Sequence, residues 1–131
     1  MEQNKALRSG VLAHLTENLP DNLFKTSLDD WRIVSVEETP LLMVYLEDGE
    51  LDSQYMESGE KYSGVLQVSI YLGTGTTDAL LDEMGEQIKL AMPVAHRIEG
   101  LATLYRRGFR YERSEDGVYR ALHLNHIYRL E

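Results

Sequence analysis

No cysteine occurs among the 131 residues. Disulfides, thiol catalysis and cysteine-ligated zinc are thereby excluded, and a reducing compartment such as the cytoplasm suits the chain. Basic residues are scarce beside acidic ones, 13 Lys and Arg against 22 Asp and Glu, for a formal net charge of −9. Independent binding to nucleic acid or to an anionic membrane needs a cationic footprint, so neither is expected. Long hydrophobic runs are missing too, since no apolar stretch approaches the ~20 residues that span a bilayer. The opening MEQNKALRSGVLAHL has no cationic start ahead of an apolar block, so it does not read as a signal peptide. No segment is biased enough to predict disorder, a linker or a repeat.

What is present suits one domain spanning residues 1–131. A chain of this length removes roughly two-thirds of its unfolded surface from water. Leu7, Val11 and Leu15 recur every four residues, with Leu12 and Leu19 widening the stripe, and predict a helix over 4–19. NLPDN ends it. WRIVSVE has the β-branched content of a short strand, and LLMVYLE reads as a well-buried one. DGELDSQYMESGE, from Asp48 to Glu60, reads as an acidic loop. KYSGVLQVSIYL alternates cleanly, placing Tyr62, Gly64, Leu66, Val68, Ile70 and Leu72 on one face. GTGTT then breaks the chain and Asp78 is the candidate N-cap of a second helix, ALLDEMGEQIKLAMPVA. AHRIEGLATLY reads as a further helical turn or a connector. RRGFRYERS and VYRALHLNHIYRL flank EDG, a hairpin signal. The expected class is α+β, a two-layer sandwich of two main helices on a mainly antiparallel sheet with a C-terminal β-hairpin.

Candidate chemistry is thin. His123 and His126 share an ion only on a helix; on a strand, residues three apart project to opposite faces. LGTGTTDALL lacks the lysine and spacing of a phosphate loop, and its aspartates would repel one. No G-x-S-x-G elbow, triad order or calcium-loop order is present. No enzyme, cofactor or metal site is therefore expected. Arg106, Arg107, Arg110, Arg113, Arg120 and Arg129 do form a basic strip on an acidic protein. Such asymmetry suits either head-to-tail self-association, one copy's basic hairpin meeting the next copy's acidic helix mouth, or a hairpin that its arginines simply keep solvated.

Several stretches in order resemble the phage minor tail protein U family, the tail terminators of lambda-like siphophages. They are LRSGVL, PLLMVYL, GVLQVSIYL, DALLDEM, GFRYERSEDG and LNHIYRL. The matching positions are Pro40, Tyr45, Leu46, Asp78, Leu81, Asp82, Met84, Gly108, Tyr111, Arg113, Asp116 and Gly117. The resemblance runs from Leu7 to Leu130 and is weakest from Asn18 to Thr39, where length and residues depart.

The resemblance implies a small α/β sandwich and no catalytic residue. It further implies a homohexameric ring on the head-proximal end of the virion tail, assembled in the host cytoplasm. Such a ring stops tube polymerisation and presents a surface for head joining. The partners implied are the chain itself, the tail tube protein and the head–tail joining proteins. Candidate subunit or tube contacts are Asp78, Asp82, Arg106, Arg107, Tyr111, Arg113 and Asp116, with the loop from Asp48 to Glu60 a second contact. Six copies carry 6 × −9 = −54 charges, so magnesium or another divalent cation is expected to promote assembly by screening. The rival readings are another head–tail completion protein, or a small ligand-binding module or enzyme.

Overall fold

The computed structural model describes residues 1–51 and 61–131. Its first helix, α1, spans Glu2–Asn18 and buries Leu7, Val11 and Leu15 completely, the residues spaced by four. The second, α2, spans Asp78–Ala91 and buries Leu81, Met84, Gly85 and Ile88. It stops two residues before Pro93, short of the end that its sequence pattern predicts.

Among the described residues, six strands follow the order β1 Thr26–Leu28, β2 Leu41–Leu51, β3 Tyr62–Leu72, β4 Ala95–Ile98, β5 Ala102–Arg113 and β6 Arg120–Leu130. They form one sheet in the order β1-β2-β3-β6-β5-β4, in which only the β1–β2 pairing is parallel. Two helices with a mainly antiparallel sheet make the class α+β. The alternation along β3 holds: Leu66, Val68, Ile70 and Leu72 join both helices in one core with Leu42, Val44, Leu122, Leu124 and Tyr128. Burying these side chains supplies about 1.5–3 kcal/mol each relative to exposure, the main force holding the helices to this face.

Three further expectations change. WRIVSVE forms no strand; its backbone runs irregularly into a single 3-10 turn, Val36–Glu38, capped by Ser35 and Glu38. AHRIEGLATLY is neither helix nor connector but β4, a tight turn and the start of β5. Of the expected acidic loop, residues 48–51 are strand instead, because β2 continues through Leu51, and residues 52–60 lie outside the described residues. Among the described residues, no helix is long and apolar enough to cross a membrane.

Candidate functional site

Four of the seven predicted contact residues, Asp78, Asp82, Tyr111 and Arg113, gather at the mouth of α2. Thr77, not Asp78, caps the helix: its hydroxyl accepts from the Leu80 amide at 3.2 Å. Asp78 is the first helical residue, where its charge complements the exposed amides of the helix end. Its carboxylate receives Arg113 Nη2 and Arg120 Nη1, each at 2.5 Å. The Arg113 hydrogen bond is the chief reason its pKa lies below the ordinary carboxylate range. One turn on, Asp82 accepts a hydrogen bond from the Tyr111 hydroxyl. Arg113 lies over the Tyr111 ring, 5.2 Å from its centroid. The acidic helix mouth and the arginines of β5 and β6 thus meet within one chain, so the charge complement that the sequence assigned to a neighbouring copy is satisfied internally.

The other candidates are dispersed. Arg106 donates to the Met92 carbonyl at 2.9 Å and so satisfies the C-terminal end of α2. Asp116 accepts from the Val118 amide at 3.1 Å and shapes the 114–119 turn beside Gly117, whose φ of 74° suits a residue without Cβ. Arg107 and Arg129 are exposed and make no ion pair among the described residues.

His123 and His126 point to opposite faces, as strand alternation requires. His126 is buried on the helix side, opposite Leu66 of β3 and Arg106 of β5. Its Nδ1 lies 3.2 Å from the Leu124 carbonyl and its Nε2 has no partner among the described residues. Burial pushes its pKa down to about 4. His123 is buried on the outer face, between Ser69 Oγ at 2.6 Å and Glu112 Oε1 at 2.8 Å. A carboxylate only accepts, so His123 Nε2 carries the proton and Nδ1 accepts from Ser69. Burial lowers the His123 pKa and keeps the ring neutral. Tyr45 bonds to Ser69, and Tyr119 donates to Glu112 at 2.6 Å, which is the largest cause of that carboxylate's depressed pKa.

Residue-by-residue reading missed this outer-face chain, because its members come from β2, β3, β5, β6 and the turn between the last two. Serine, histidine and glutamate do stand in line there. Ser69, however, is fully buried and its oxygen already bonds Tyr45 and His123, so no substrate carbonyl could reach it. Over the chain lies a cavity of about 350 Å³. Tyr45, Tyr71, Arg110, Glu112 and His123 line the sheet side, and the irregular 31–36 segment forms the other wall. Burial raises the Tyr71 pKa to well above the ordinary phenol value. Trp31 and Ile33 stand on this wall 62% and 84% exposed. No group of three or more His, Asp or Glu able to hold a metal ion occurs among the described residues.

The family described as phage minor tail protein U matches residues 2–128. None of the curated proteins compared matches. A chain from a solved structure entitled "Virion of native gene transfer agent (GTA) particle" has the same fold. It matches with a TM-score of 0.62 at 13% identity, over 95% of this chain and 94% of its own. A second solved chain matches with a TM-score of 0.58 at 11% identity, over 99% of this chain and 94% of its own.

Proposed function

The chain belongs to the phage minor tail protein U family, a structural component of phage tails, and from that premise we propose that it is a tail terminator. In this reading a homohexameric ring caps the head-proximal end of the tail tube. It stops tube polymerisation and offers the surface to which joining proteins dock. The family match across nearly the whole chain carries the reading. The fold shared with a virion-particle chain supports it.

The cluster of Asp78, Asp82, Tyr111 and Arg113 has a twofold part here. Its internal pairs hold α2 against β5 and β6, and in this reading the exposed edges of the same side chains are left for the neighbour or the tube. Arg107 and Asp116 join that contact from the bulge and turn of the last two strands. Arg106 acts within the chain, through Met92. Residues 48–60 are the proposed contact to tube or joining protein. Magnesium or another divalent cation promotes assembly by screening.

Light scattering after gel filtration, with and without millimolar magnesium, tests the proposal together with negative-stain images. Six-fold rings, or monomers that become rings when charge is screened or a tube end is supplied, are the expected result. A monomer that binds a small ligand in the outer-face cavity would favour the second reading, a binding module, to which the cavity volume is the observation that points.

A further inference from the structure

The two faces of the sheet leave different apolar groups in water. On the outer face, Trp31 and Ile33 stand exposed at the cavity, beside Arg110. Among the described residues Arg110 has one ion-pair partner, Glu112 at 3.8 Å, a separation too long for a hydrogen bond. Most of the donors on this guanidinium therefore remain available. On the helix side, α2 turns Leu81, Met84 and Ile88 to the core and presents Glu83, Glu86 and Leu90 outward. Positions 83, 86 and 90 fall on one stripe of a helix. Leu90 is 74% exposed, and Val94, three residues beyond the helix, is 58% exposed. Glu83 makes no ion pair among the described residues, and Glu86 reaches only the surface Lys89.

We propose that the α2 stripe of one copy seats on the outer-face cavity of the next. Leu90 and Val94 cover Trp31 and Ile33, while Glu83 and Glu86 approach Arg110. The proposal rests on the ring reading and specifies which surfaces close the ring. A second copy is the occupant because both halves of the contact are on every chain, acid with apolar on one face and cation with apolar on the other. In a protein of net charge −9, an acidic stripe needs a cationic seat, since like charges brought face to face cost several kcal/mol. Two unlike patches on opposite faces of one sheet also make a heterologous contact, which closes a ring when the rotation between copies permits.

The lack of cysteine makes the test clean. Ile33→Cys and Leu90→Cys both alter exposed side chains, and the two positions lie on opposite faces of the sheet. A disulfide needs Cα atoms within about 7 Å, so the bridge can form only between copies. Oxidised under assembling conditions, the double variant should give a ladder of covalent multimers. Mixed single variants should give the mixed dimer in excess over either homodimer. Assembly should move the emission of Trp31, the single tryptophan, to shorter wavelength. Leu90→Glu should raise the protein concentration needed for assembly at least about tenfold, as loss of a buried anchor does. Rings that form with no ladder and no change in Trp31 emission would overturn these surfaces and leave the terminator reading standing. Cross-linking of either cysteine to the tail tube protein instead would overturn the second copy as occupant. A chain monomeric both in solution and on tube ends would overturn the inference and the ring together.

Discussion

Thr77 and Asp78 stand side by side at the start of α2 and do different work. The threonine caps the helix, and the aspartate pairs with arginines 35 and 42 residues away in sequence. Thr77→Ala should therefore cost about 1 kcal/mol in urea unfolding, whereas Asp78→Asn should leave the helix capped and weaken the anchoring of the last two strands. The order TTD made Asp78 a reasonable cap candidate, because either neighbour has the chemistry; only tertiary placement of the arginines separates the two. His126 supplies a test by pH. Its folded pKa of about 4 lies below the ordinary imidazole value of 6.5, so the unfolded chain takes up its proton first as the solution is acidified. The contribution is complete above pH 6.5 and is lost progressively toward pH 4, by about 3 kcal/mol in all. His123 and His96, also depressed by burial, act in the same direction. His126→Leu should flatten the acid limb of a stability–pH curve. Because it also removes an unpartnered buried nitrogen, stability at neutral pH should stay within about 1 kcal/mol of the parent.

The strands β2 and β3 pass unusually close where β2 bulges between Leu46 and Asp48. A Cβ on Gly64 would lie 2.1 Å from the Asp48 carbonyl oxygen and 2.6 Å from the Gly49 Cα. Gly64→Ala must push the strands apart and should cost about 1–3 kcal/mol, read as a lowered denaturant midpoint with hydrogen-exchange protection lost along both strands. The same element shows what the sequence makes legible. Period-two alternation identified the buried face of β3 because one side of that strand meets the helices throughout. The four-residue spacing of Leu7, Val11 and Leu15 marked α1 for the same reason. WRIVSVE misled because its β-branched residues border a cavity and face water; Ile33 is more exposed than any core strand would allow. β1 and β4 escaped notice because three and four residues carry too little periodicity, and their pairing partners are set by the fold. The outer-face chain from Tyr45 to Tyr119 was invisible for a related reason. Its members are brought together by strand register, which no local spacing encodes.

At the scale of the whole molecule, charge and shape pull in opposite directions. Exposed apolar groups on both faces favour association, while a net charge of −9 per chain opposes it. If screening is the sole role of magnesium, then sodium chloride at matched ionic strength should promote assembly equally, since the screening length of about 10 Å at 0.1 M depends on ionic strength. A strong preference for magnesium would instead require a cation site formed between copies. The family relation sets the chain among phage tail proteins, and the internal pairing around Asp78 ties the start of α2 to the last two strands. The most direct test of the terminator claim is the length distribution of tails built from the cognate tube protein with and without this chain, measured by negative-stain microscopy. The account predicts tubes that overrun their set length when the chain is omitted, and tails of one length bearing a ring at a single end when it is restored. Tubes that stop at the same length without it would contradict the claim.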